Sequence, residues 1–278
     1  EVYNMSFLIY PTPKLMPIQG LTGFGGGATG LANAGGAAAE MTTNGLIIYW
    51  NAIAANVSGE YISDTSGNGW SDLEAKWTGA SSSFNSSRNG GAFECPSNST
   101  ANNYFDVGNS IIFGTGGGGS NQGTEFTFFI GGQWHSGKTN GYAMFFTGQD
   151  SNNFIGQGGN GFWRMDSNQD KKADADAGTD EDIGTGIAVV YFSMTSSGLG
   201  RFYLNGARSG GNALYDGGIG GWTGDNIIIN SMNAYSSTGP GMVYASAHYL
   251  FFAGVYNRVL EDTEIADNYL AHQQRLGI

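Results

Sequence analysis

The stretch AHYLFFAGVYNRVLEDTEIADNYLAHQQRLGI, residues 247–278, decides the fold class. Its first half alternates as a strand does, with Tyr249, Phe251, Ala253 and Val255 on one side and His248, Leu250, Phe252 and Tyr256 on the other. Both sides are largely apolar, which predicts a central strand covered on both faces. After Asn257 the period lengthens, and Leu260, Ile265, Tyr269 and Leu276 recur at helical spacing. Glu261, Asp262 and Glu264 crowd the first turn, where they oppose the positive helix end, while Arg275 and then Gly277 mark the other end.

Working outward, the middle of the chain reads as strands separated by turn residues. Glu125 to Trp134 sets Phe126, Phe128 and Ile130 against Thr127, a strand with one clear core face. Gly141 to Thr147, Asn152 to Gln157 and Gly161 to Met165 follow as short strands, and Ile187 to Met194 is a continuous β-branched and aromatic run. Asn205-Gly206 predicts a type I′ hairpin turn, because both central positions must take positive φ. Leu46 to Tyr49, at the front, and Ile227 to Ile229, before the closing strand, complete the pattern expected of a sandwich.

The junction Val255-Tyr-Asn-Arg-Val-Leu-Glu-Asp-Thr-Glu-Ile265, the hairpin Tyr203-Leu-Asn-Gly206 and the segment Asn103-Tyr-Phe-Asp-Val-Gly108 together resemble laminin-G-like (concanavalin A-like) jelly-roll domains. The resemblance covers about residues 45–278. It implies an all-β jelly-roll sandwich with an extended N-terminal arm and a short C-terminal helix that packs across the end of the closing strand. The loop Asp64-Thr-Ser-Gly-Asn-Gly-Trp70 departs from the family order, its Trp following the glycines, so no residue role carries across it.

Residues 1–44 differ in kind. Pro11, Pro13 and Pro17 enforce extended backbone. The run from Gly23 to Glu40 is nearly free of side chains and cannot bury enough apolar area to offset its own ordering entropy. Two readings stand: a flexible linker, or an arm that orders on a partner through Leu21, Phe24 and Leu31. The stretch from Met16 to Leu31 looks like the opening of laminin-G-like structural proteins of marine tailed phages, which favours the arm.

Composition narrows the function classes. Seventeen Phe, 14 Tyr and 6 Trp argue for a packed core, while charged residues, at 12%, are about half the usual share. A net charge of −12 with only 11 Lys plus Arg argues against nucleic-acid binding, which needs basic clusters. The lone Cys95 excludes an intrachain disulfide and reads as a buried thiol. No apolar run is long enough for a membrane span, and Pro11 and Pro13 cut short the apolar start that a signal peptide would need.

The densest chemistry lies between Asp166 and Asp182, where seven acids fall in seventeen residues. Asp166, Asn168 and Asp170 have the alternate spacing of calcium ligands, and Asp174 and Asp176 extend it. Lys171 and Ala177, however, stand where an EF-hand needs Gly and Glu. The stretch is therefore either a looser calcium site or a solvated acidic loop, and the second reading is preferred; a melting-temperature shift in millimolar calcium separates them. No other cofactor is indicated. His135, His248 and His272 are too dispersed for a local zinc motif and read as surface or strand-face residues.

No strand carries the paired carboxylates of a glycoside hydrolase, so no catalytic residue is assigned. Trp134, Trp163, Trp222 and Tyr235 fall near strand ends or loops and could stack on sugar rings, although aromatics in sandwiches are more often core. The resemblance implies a non-enzymatic virion structural protein, a capsid decoration, fibre or tail component at the virion surface. In that role it would contact other virion proteins and copies of itself through the arm of residues 1–44 and expose the domain of residues 45–278. The alternative is a glycan-binding adhesin or receptor-binding module with a host-surface glycan as partner; a hydrolase is the third reading.

Overall fold

A computed structural model describes residues 39–76, 83–94, 104–113, 120–134, 143–147, 154–157, 163–167, 171–174, 186–197, 199–214, 227–232, 236–238, 242–244 and 248–278. The chain forms β1 (Leu46–Asn51), β2 (Val57–Ser58), β3 (Tyr61–Ile62), β4 (Leu73–Lys76), β5 (Ser83–Asn85) and β6 (Ala92–Glu94). Next come β7 (Tyr104–Phe113), β8 (Ser120–Asn121), β9 (Phe126–Trp134), β10 (Ala143–Thr147), β11 (Phe154–Gln157), β12 (Trp163–Ser167) and β13 (Lys171–Asp174). The last part holds β14 (Ile187–Met194), β15 (Leu199–Leu204), β16 (Ala207–Leu214), β17 (Ile227–Met232), β18 (Ser236–Thr238), β19 (Met242–Tyr244), β20 (His248–Tyr256) and α1 (Asp262–Leu276).

Two sheets carry the fold. The first runs β16-β15-β14-β9-β20-β6-β5 with β1 also paired to β20, and the second runs β13-β12-β11-β10-β17-β7-β4-β3-β2 with β8 beside β7. Between them lies a core that draws Trp50, Phe126, Phe128, Ile130, Phe192 and Val255 from the first sheet and Ile62, Leu73, Phe105 and Phe113 from the second. A second apolar layer, with Phe129, Tyr191, Phe251, Phe252 and Tyr256, lies on the other face of the first sheet and receives Leu260, Ile265 and Leu276. The order of layers is thus helix, first sheet, second sheet, and among the described residues no element packs on the outer face of the second sheet.

The expected all-β sandwich with a closing strand and terminal helix is present, and β20 is central, flanked by β9 on one side and by β1 and β6 on the other. Strict alternation along β20 fails. Leu250 pairs with Gly132 and Phe252 with Gly131, so Phe251 is the extra residue of a β-bulge. The bulge inverts the parity: Leu250, Ala253 and Val255 enter the core between the sheets, while Phe251, Phe252 and Tyr256 pack on the helix side. Nor is β9 one-faced, since Phe129 and Thr127 are fully buried beneath the helix junction. The Thr127 hydroxyl donates to Arg258 O at 2.9 Å and accepts from Leu260 N–H at 3.0 Å, which ties the chain reversal to the sheet.

The hairpin between β15 and β16 has the expected backbone, with φ of +51° at Asn205 and +77° at Gly206. A side chain at position 206 would also collide with the Tyr269 ring, so Gly is required there twice over.

On α1 the apolar stripe differs from expectation. Tyr269 is only partly covered, while Asn268 and His272 are buried. His272 is therefore neither a surface nor a strand-face residue; its ring stacks on Phe252, 4.0 Å between centroids at 15°. Burial pushes its pKa down to about 3, helped by the nearby Arg275 charge. Arg275 does more than oppose the helix dipole. Its guanidinium reaches Asn51 Oδ1 at 3.0 Å, Ala52 O at 3.0 Å, Gly91 O at 2.7 Å and Asn89 O, which joins the helix end to two separate segments.

The chain before β1 is already part of the domain from Ala39 onward. Thr42 N–H donates to Asn268 Oδ1 at 2.8 Å, Asn268 Nδ2 to the Tyr256 hydroxyl at 3.1 Å, and that hydroxyl to Thr42 O at 2.8 Å. Ala39 N–H donates to Gln274 Oε1 and Arg258 Nε to Asn44 O. These bonds lay residues 39–44 along α1.

Candidate functional site

The solvent-facing side of the second sheet carries a polar patch built by register. Tyr61 of β3 stands opposite Glu74 of β4, and Glu74 stands opposite Asp106 of β7. Directly paired residues share a face, and their neighbours Ile62, Leu73, Ala75 and Phe105 fill the core, so these three point outward. Tyr61 is 44% exposed, one of only three large hydrophobic side chains in that state among the described residues. Glu74 and Asp106 are like charges directly across a ladder, an unfavourable pairing. Lys76, two residues along β4, bridges them, with Nζ 2.6 Å from Asp106 and 3.3 Å from Glu74.

The electrostatics follow from that bridge. The hydrogen bond to Asp106 raises the Lys76 pKa above its ordinary value. For Asp106 desolvation pushes upward, but the Lys76 hydrogen bond, the Gly108 N–H at 2.9 Å and the Lys76 charge together hold its carboxyl below the usual range. Glu74, next to the Tyr61 phenol, raises the phenol pKa. Two acids on neighbouring strands are thus brought together that no single strand displays, yet Asp106 moves opposite to the direction a general acid requires. The patch offers an exposed aromatic ring and carboxylate acceptors, the equipment of a binding surface. Among the described residues no group of three or more His, Cys, Asp or Glu could hold a metal ion.

Sequence reasoning did not find this patch. The strand alternation of Leu73-Glu-Ala-Lys76 and the position of Asp106 are visible in the sequence, but the adjacency of β3, β4 and β7 is a property of topology.

The residues singled out from sequence are placed as follows. Trp134 ends β9, opposite His248, in the first sheet, and Trp163 begins β12, opposite Gln157, in the second. The two therefore do not share a sheet. Trp222, Tyr235, Leu21, Phe24, Leu31 and Cys95 lie outside the described residues, as do Asn168, Asp170 and Asp176. Asp166 and Asp174 belong to a hairpin of β12 and β13, where Asp166 pairs with Lys172 and Asp174 with Arg164. Part of the acidic stretch is therefore strand and not loop, with opposite charges at matching register positions.

No protein-family model matches the chain, and no curated protein matches it at a significant level. Solved structures do resemble it. Domain 4 of the extracellular arabinanase AbnA from Geobacillus stearothermophilus, solved with arabinotriose, aligns with a TM-score of 0.54 at 11% identity over 81% of this chain and 98% of that one. The Trypanosoma rangeli sialidase aligns at 0.53 and 15% identity over 83% of this chain and 33% of its own. The binding domain of botulinum neurotoxin serotype D/C aligns at 0.52 and 13% identity over 82% and 52%. The chain thus spans about a third of the sialidase, about half of the toxin domain and nearly all of the arabinanase domain. At such identities the likeness is one of fold, and the fold is an all-β jelly-roll-like sandwich with a short C-terminal helix.

Proposed function

We propose that this chain is a non-enzymatic binding module that presents the outer face of its second sheet to a glycan. The observation that carries the reading is the register row Tyr61, Glu74 and Asp106, an exposed aromatic ring beside carboxylates on the sheet face that the helix does not cover. Aromatic rings stack on the apolar faces of sugars, and carboxylates accept from their hydroxyls. Support comes from sandwiches of the same fold in binding roles, one solved with arabinotriose and one named as a toxin binding domain. A glycan array probed with the full chain and with Tyr61→Ala tests it. Hits that disappear in the variant are expected, and hits that persist unchanged, or no hits at all, overturn it.

A second reading concerns where the module sits. Residues 39–44 lie along α1, so Ala39 sits on the side of the sandwich opposite the Tyr61 patch, away from the proposed ligand. That polarity suits a module attached through its N-terminal segment to a larger assembly, and the sequence resemblance to phage structural proteins makes a virion the proposed assembly. Deletion of residues 1–38 is expected to give a folded chain that no longer enters particles; normal incorporation overturns this reading.

A further inference from the structure

The charge pattern of the outer-face patch narrows its ligand. Two carboxylates, Glu74 and Asp106, flank the single ammonium of Lys76, which already contacts both. The ammonium is neutralised twice over and has little charge to offer an incoming anion, whereas each carboxylate oxygen has more than one lone pair to share. Glu60 adds negative charge near Tyr61, and the chain as a whole carries −12. An acidic ligand is therefore repelled at contact and on approach.

A neutral sugar meets the opposite situation. Adjacent hydroxyls can donate together to one carboxylate in charge-assisted bonds, which are stronger than bonds between neutral partners. The sugar's own C–H face can meanwhile cover the exposed Tyr61 ring. We propose that the patch selects uncharged glycans, whose vicinal hydroxyls donate to Glu74 and Asp106 while a sugar face lies on Tyr61, and rejects glycans ending in sialic acid, uronic acid or sulfate. This selectivity rests on the glycan-binding reading given above.

The test uses the full chain on an array printed with matched pairs, each oligosaccharide core displayed with and without a terminal sialic acid and with and without sulfate. Three proteins are compared: the natural chain, Tyr61→Ala and Glu74→Lys. The natural chain is expected to hold neutral cores at least about tenfold more tightly than their acidic partners, with the gap widening at low salt. Tyr61→Ala loses the neutral hits, and Glu74→Lys closes most of the gap by admitting the acidic partners. If the natural chain prefers acidic glycans and Tyr61→Ala abolishes that binding, the proposed selectivity is wrong and the site stands. If no glycan binds, or Tyr61→Ala changes nothing, the site reading fails and the selectivity with it. Both substitutions lie on an exposed sheet face, and unchanged melting curves confirm that the variants are folded.

Discussion

The Phe252 ring occupies the space that a side chain at Gly131, its partner across β9 and β20, would need. The relation is repeated two pairs along, where the Phe129 ring fills the space over Gly254. Each ring lies low on the sheet because its cross-strand partner has no Cβ. That leaves room above for His272, whose ring centroid is 4.0 Å from Phe252 and 5.4 Å from Phe129. Two glycines thus determine how closely α1 approaches the sheet. Gly131→Ala is expected to lift the Phe252 ring and cost about 2 kcal/mol as an overpacking change. Urea unfolding measures it, and the double variant Gly131→Ala with Phe252→Leu should recover part of the loss.

His272 makes the protein acid-sensitive. Its pKa is pushed down to about 3 in the folded state from the ordinary 6.5, so the unfolded chain binds the proton more readily. The contribution is fully present above pH 6.5 and is lost progressively as the pH falls toward 3, at about 1.4 kcal/mol per pH unit. By pH 4.5 this amounts to roughly 3 kcal/mol. His272 Nε2 is buried without a hydrogen-bond partner among the described residues, so His272→Leu should cost little at pH 7 while flattening the acid limb of the melting-temperature profile. An unchanged acid limb would show that other groups govern it.

Arg275 is half-buried and has no carboxylate partner among the described residues; its guanidinium is satisfied by backbone oxygens and Asn51, and desolvation lowers its pKa to about 10. Removing it leaves several carbonyls unpaired beneath the helix end. Arg275→Ala is expected to destabilise the fold by about 3 kcal/mol or more. Arg275→Lys should recover less than half, because an ammonium cannot reproduce the planar fork. Denaturant midpoints at constant slope provide the comparison.

The ring of hydrogen bonds among Thr42, Asn268 and Tyr256 fixes residues 39–44 on the helix. Asn268→Ala orphans the Thr42 amide, with a cost of about 1–3 kcal/mol felt locally. Hydrogen exchange at residues 40–44 should accelerate strongly, while exchange in β9 and β14 changes only by the smaller global loss. Equal acceleration everywhere would mean that the clip is not a separate unit.

Much of this architecture is written locally. The apolar, β-branched and aromatic runs that form β9, β14 and β20, the Asn205-Gly206 turn and the change from strand to helix period after Asn257 all depend on residues a few positions apart, and the structure follows them. What the local pattern could not specify was parity and company. The bulge at Phe251 exchanges the two faces of β20, a consequence of pairing with β9, and only the docked helix explains why Thr127 and His272 are buried.

The candidate site shows the same division. The sequence by itself determined an acidic, β-rich chain with a closing strand and a terminal helix, because those features reside in composition and near-neighbour spacing. Tertiary structure alone decided that Tyr61, Glu74 and Asp106 share one solvent-facing row, although Asp106 lies more than thirty residues beyond Glu74. The physical reason is that strand order in a sheet is fixed by long-range pairing and by the common burial of inward faces, and no window of sequence contains either.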